Sequence, residues 1–286
     1  MNQQDMPVIG LSVKDAAGTL QASASGAGEV CLVYEPEYRP GDQLCVTVER
    51  PGSFLVLRLD DTMPPAFVYC KGTACTFPVP FGEARTVYSQ RAFTGTRHYL
   101  HARLAREEET AARKNLAFNP WATHEPGGPF PYASANVETR GEMVFAAKNA
   151  IDGWKAGDSH GEWPYTSWGI NRDPRAAWRL DFGRMVELDE AVVYLRADFP
   201  HDAWWKEAVL HFSDGSDLVL TLEKTGAGQH FSFPPRRVEW LVLDSLIKAD
   251  DPSPFPALTQ LELWGKDLMD PSAAGTDSSE TPAERQ

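Results

Sequence analysis

Apolar and polar residues alternate with period two along much of this chain. In the segment EAVLHFSDG, Ala208, Leu210 and Phe212 fall on one face with polar neighbours between them, and in DLVLTLEK Leu218, Leu220 and Leu222 repeat the pattern. Successive side chains of a strand point to opposite faces, so the alternation predicts strands covered on one side by a core. AAWRLDF, LDEAVVYLRA, RRVEWLVLDSL and LTQLELWG add further strands to the same half of the chain. Upstream, EVCLVYEP, DQLCVTVER, SFLVLRLDD, PAFVYCK, ACTFPVP and HYLHARLA read as short strands separated by the turn signals RPGD, RPGS and KGT. No long helical period occurs. Only AREEETAARKN has the composition of a short surface helix, and it would serve as a semi-rigid connector. The expectation is an all-β chain of two β-sandwich domains. Short strands at this spacing suggest an immunoglobulin-like sandwich over residues 1–112, followed by a second sandwich over 115–268.

Composition supports that division. All four cysteines (Cys31, Cys45, Cys70, Cys75) precede residue 114, and all nine tryptophans follow it. The formal net charge of −13 falls mainly on the second half. Such a charge repels phosphate backbones and anionic lipid, and no basic stripe offsets it, so neither nucleic acid nor a membrane surface is an expected partner. The N-terminus lacks a basic segment followed by an apolar stretch, and no apolar run reaches about 18 residues, so a cytoplasmic protein is expected, or an extracellular one if exported by another route. Residues 269–286, rich in Pro, Ser, Thr and acid, read as a disordered acidic tail. The cysteines lack C-x-x-C spacing and are expected to be buried thiols, with a Cys70–Cys75 hairpin pairing as the alternative. No oligomeric state follows from these features.

Candidate chemistry gathers in two loops. LRADFPHDAWWKEA places Arg196, Asp198, His201, Asp202, Trp204 and Trp205 at and beyond a strand end, where Pro200 prevents simple continuation. Planar groups such as Arg and Asp satisfy adjacent sugar hydroxyls, and Trp stacks on the apolar C–H face, so this mixture suits a saccharide. The plainer alternative is an Arg196–Asp198 ion pair with tryptophans in the core. DSHGEWPYTSWGIN contributes His160, Glu162, Trp163, Tyr165, Trp168 and Asn171, either as a second wall of the same pocket or as an aromatic plug beneath a sandwich end. Residues 119–175 are rich in Pro, Gly, Asn and Trp, as functional loop regions often are. The string GDSHG matches a nucleophile-elbow pattern, but it lacks the strand before and helix after that would expose the serine.

Residues 115–265, from NLAFNPWA through NAIDG, AAWRLDFGR, HFSDGS and LTQLELWG, resemble discoidin domains, also called coagulation-factor type C or galactose-binding-like domains. YLRADFPHDAWW is also similar to uncharacterised bacterial carbohydrate-binding proteins. The resemblance implies an eight-stranded jelly roll with ligand loops at one end and glycan binding without catalysis. It also implies a structural calcium ion, with Asp152, Asp158, Thr166 and Glu262 in the matching regions. The interval from the DG loop to the following tryptophan, WKAGDSHGEWPYTS, is longer here than in the family.

The leading expectation is therefore a non-catalytic, lectin-like protein. His160, Trp163, Arg196, Asp198, His201, Asp202 and Trp204 would line its glycan pocket, with Arg196 and Asp198 clamping vicinal hydroxyls. Two alternatives use the same residues. One is a protein-interaction module gripping its partner with aromatic loops. The other is a glycan-active enzyme with Asp198 and Asp202 as an acid/base pair, or with His160, His201 and an Asp holding zinc.

Overall fold

The computed structural model describes residues 6–157, 161–197 and 203–268, and within them the regular structure is almost all antiparallel strand. In the first half, β1 (Val8–Lys14), β2 (Leu20–Ala27), β3 (Glu29–Tyr34), β4 (Gln43–Val48), β5 (Ser53–Arg58), β6 (Ala66–Cys70), β7 (Ala74–Pro78) and β8 (His98–Leu104) form two four-stranded sheets, ordered β2-β1-β4-β7 and β3-β8-β5-β6. Alternate residues of β1, β4, β5 and β8, among them Ile9, Leu11, Leu44, Val46, Leu55, Leu57 and Leu100, meet in one core. The period-two pattern supplies one buried face per sheet, and packing the two faces together removes both from water. The alternation read from the sequence begins at β3 and omits β1 and β2. For β2 the reason is physical: LQASASGA carries small and polar residues and buries none of them fully, so it has no apolar period to read.

Three of the four cysteines are buried thiols. Cys75 Sγ lies 2.9 Å from Cys70 Sγ, joining the edges of the two sheets. Cys31 instead sits on the exposed face of β3, with its sulfur 3.2 Å from the Tyr99 hydroxyl.

The connector is the short helix α1 (Glu107–Ala111). Arg103 grips Glu109 bidentately at 2.6 and 2.7 Å, and Lys114 Nζ donates to the terminal carbonyls of Glu109 and Thr110. A cation at a helix C-terminus meets carbonyls that have no intrahelical donor.

Beyond it, β9 (Lys114–Asn115), β10 (Tyr132–Ala135), β11 (Trp168–Gly169), β12 (Trp178–Leu195), β13 (Trp205–Phe212), β14 (Asp217–Thr221), β15 (Gln229–Lys248) and β16 (Ala257–Asp267) form a single eight-stranded sheet. AAWRLDF and LDEAVVYLRA are one strand, β12. Its ladder shifts register after Asp181, where Gly183 adopts φ 71° and donates its N–H to Asp181 Oδ1 at 2.7 Å. A Cβ at Gly183 would lie 2.6 Å from the Phe130 ring, so both the conformation and the space demand glycine. On one side of this bend β12 pairs with β10 and on the other with β16, while β15 follows both parts. The sheet thus folds over on itself as a jelly roll around a second core containing Trp168, Trp178, Leu180, Leu210 and Leu261. Its two ends meet, with Leu116 N–H donating to Leu263 O at 2.7 Å.

The first core also draws on residues beyond the connector. Trp121, Val144 and Phe145 belong to it, and the Trp121 indole N–H donates to Leu57 O at 3.0 Å. Alongside, Phe130 and Tyr69 exchange backbone hydrogen bonds at 2.9 and 3.0 Å. Arg184 lies over the rings of Phe54 and Tyr69 and forms an ion pair with the buried Asp267. The two sandwiches are therefore locked together by apolar, hydrogen-bonded and ionic contacts.

Candidate functional site

Short connections at one end of the jelly roll enclose an open cleft of about 110 Å³, lined by Arg140, Phe145, Asn171, Arg172, Arg196 and Phe255 among others. Arg196 enters where β12 ends. Its backbone N–H donates to Ala257 O at 3.0 Å, tying it to the start of β16, and its guanidinium donates to Ser167 Oγ at 3.4 Å. It is only 4% exposed. Asn171 and Arg172 follow β11 in the left-handed region, with φ of 48° and 61°, and Arg140 on the neighbouring 3₁₀ turn has φ 55°. Six non-glycine residues among those described adopt positive φ, and these three line one cleft. Such conformations persist only where the surrounding structure imposes them, and they concentrate at functional sites. Here the Thr139 hydroxyl accepts the Asn171 N–H at 2.9 Å, holding the loop in place. Phe255, 36% exposed, closes one wall, and the Arg172 guanidinium lies 4.1 Å from its ring centroid.

Of the sequence-derived candidates, Arg196 and, from the second loop, Asn171 are the ones that the described structure brings to this cleft. Trp163 lies elsewhere. Its backbone N–H donates to Thr86 O of the first sandwich, its ring packs edge-on against Trp154 with centroids 5.1 Å apart, and it lines a separate groove with Arg85, Tyr88 and Glu162. Trp204 is half-buried against the second core, while Trp205 is fully buried and packs near Trp168. His160, Asp198, His201 and Asp202 lie outside the described residues. Arg140, Arg172 and Phe255 were not singled out from the sequence. They stand in exposed loops where no hydrophobic period marks them, whereas Asn171 could be found through its aromatic neighbours.

The calcium expectation does not fit the described residues. Asp152 and Thr166 do meet, with the threonine hydroxyl donating to Asp152 Oδ2 at 3.3 Å. The other carboxylate oxygen already accepts from Gln260 Nε2 at 2.7 Å and Trp154 N–H at 2.9 Å, and burial pushes the Asp152 carboxyl up to about 7. Glu262 is held by the Lys155 ammonium and the Trp264 indole N–H rather than directed at Asp152. Asp158 lies outside the described residues, and among those described no three His, Cys, Asp or Glu side chains converge as metal ligands. Calcium requires free oxygen acceptors, and these carboxylates face donors.

Gln260 ties the DG loop to the last strand. Its amide donates to Asn149 O at 2.6 Å as well as to Asp152, and its carbonyl accepts Gly153 N–H at 3.1 Å. Gln260→Ala is expected to lower the unfolding free energy by about 1–3 kcal/mol, the cost of leaving buried partners unsatisfied. EDTA is expected to leave the melting temperature of the native protein unchanged. A chelator-sensitive melt would restore an ion to this loop.

No protein-family model matches the chain, and no curated protein matches it. Solved structures to which it is similar include carbohydrate-binding modules. One is chitosan-binding module 1 of a chitosanase/glucanase from Paenibacillus sp. IK-5, at 15% identity over 53% of this chain and 99% of that one, with a TM-score of 0.38. Another is the family 32 module of C. perfringens NanJ in complex with galactose, at 18% identity over 46% and 91%, with a TM-score of 0.36. A third is a Streptococcus pneumoniae fucose binding module, at 13% identity over 52% and 96%, with a TM-score of 0.38.

Proposed function

We propose that this protein binds a saccharide, without chemistry, in the cleft between Arg196 and Phe255. The observation that carries this reading is the convergence of three left-handed non-glycine residues, Arg140, Asn171 and Arg172, on the cleft that also holds a buried arginine and an exposed aromatic ring. Sugars present hydroxyls around an apolar C–H face. Guanidinium and amide groups can bond the first, and the Phe255 ring can cover the second. No Asp or Glu lines the cleft among the described residues, so the paired carboxylates of glycoside hydrolysis are not assembled by them.

A glycan array identifies the ligand, and titration of two variants tests the site. Arg196→Ala is expected to weaken binding roughly tenfold to a hundredfold, because a buried polar contact leaves its partner unsatisfied when lost, at about 1–3 kcal/mol. Phe255→Ala removes an exposed ring, so it is expected to weaken binding while leaving the melting temperature nearly unchanged. Undiminished affinity in both folded variants would defeat the assignment.

A further inference from the structure

Among the described residues, the charged side chains lining the cleft are Arg140, Arg172 and Arg196. This is notable in a chain whose formal net charge is −13. Arg140 is already engaged by Glu142, through contacts of 2.5 and 2.7 Å. Arg172 differs. Its acidic neighbour Asp173 is taken by Arg175, which donates both its backbone N–H and its Nε to Asp173 Oδ1. The guanidinium carbon of Arg172 lies over the Phe255 ring, 4.1 Å from its centroid, and among the described residues Arg172 forms no ion pair. A guanidinium stacked on an aromatic ring keeps its N–H edge available, and that edge matches a carboxylate bidentately.

Resting on the saccharide reading above, we propose that the cleft selects sugars bearing a carboxylate and that Arg172 receives it. Phe255 orients the guanidinium and covers the ring face of the same sugar, so one residue pair reads both the charge and the apolar surface. A neutral sugar offers Arg172 only hydroxyls, whose hydrogen bonds are weaker than those of an ionised partner.

The test uses matched pairs titrated into the full chain: trigalacturonate against the neutral galactose trisaccharide, and sialyllactose against lactose. The two pairs separate a uronate from a sialate as the source of the carboxylate. The acidic member of at least one pair is expected to bind about tenfold more tightly, with the preference shrinking as salt is raised. Arg172→Gln is expected to weaken the acidic member far more than the neutral one, so that the pair becomes equal, and Arg172→Lys to retain part of the preference. Equal or better binding of both neutral members would overturn the carboxylate proposal and leave the saccharide reading standing. Binding of no sugar on the array or in these titrations would overturn both. A preference that survives Arg172→Gln would place the carboxylate away from Arg172 and overturn its role.

Discussion

Trp121→Ala is expected to destabilise the first sandwich by about 3–5 kcal/mol, although Trp121 lies in sequence beyond the connector. Its side chain is fully buried, packs edge-on against Phe77 with centroids 5.8 Å apart, and donates to Leu57 O. Removing the indole leaves a cavity in a core that cannot collapse freely, and it strips a buried carbonyl of its donor. A chain of residues 1–112 lacks Trp121, Val144 and Phe145 together, so it is expected not to unfold cooperatively by itself. Urea titrations followed by circular dichroism check both outcomes, with Trp240→Ala as the control because Trp240 is only half-buried. A loss below about 1 kcal/mol in Trp121→Ala, or a cooperative melt of residues 1–112, would show that the first core closes without the second half.

Arg184→Ala is expected to cost about 3–5 kcal/mol, by leaving a buried carboxylate short of its partner. Arg184 Nε donates to Asp267 Oδ1 at 2.7 Å, and the Asp267 side chain is wholly buried. Lys114 Nζ, 2.8 Å from the other oxygen, would remain as the single cation. Burial holds the Arg184 guanidinium below its usual range, an effect that Asp267 opposes. The pair sits at the seam, with Arg184 over Phe54 and Tyr69 and Lys114 over Phe67, so its loss should loosen the contact between the two sandwiches as well as the jelly roll. Replacing both partners, Arg184→Met with Asp267→Leu, should recover part of the loss, since it removes the buried carboxylate while Lys114 keeps its carbonyl acceptors on Glu109 and Thr110. A double variant no more stable than Arg184→Ala would mean that the cost lies in packing rather than in the orphaned carboxylate. Comparing the urea midpoints of wild type, both single variants and the double variant separates the two causes.

Legibility differed sharply between fold and site. Strand alternation was plain wherever large apolar residues carried it, as in Leu218, Leu220 and Leu222, and silent in β2, where Ala and Ser replace them. The DFG and SDG strings marked real corners. Gly183 and Gly215 both have positive φ, and Asp181 and Asp214 each accept a backbone N–H two residues on. Arg196 could be found because an arginine at a strand end followed by a proline-broken loop is chemically conspicuous. Trp163 was conspicuous for the same kind of reason, and the fold sends it to the groove against Thr86 instead. Sequence proximity to other aromatic residues does not say which surface a loop will face. Arg172 and Phe255 lie far apart in the chain and meet because β11 and β16 are neighbours in the sheet.

By itself the sequence determined the strands that large apolar residues mark and the existence of two apolar cores, because the side-chain period of a strand is a local property of the backbone and each core is the sum of the faces it creates. It also determined the turns that require glycine and the concentration of polar and aromatic residues in the loops. Tertiary structure alone decided that Trp121 completes the core of the sandwich before it, that Gln260 stitches the DG loop, and that arginines from separate loops surround one cleft. These are contacts between residues distant along the chain. They follow from strand order and register, which depend on how whole sheets pack, and no local pattern of residue types encodes that packing.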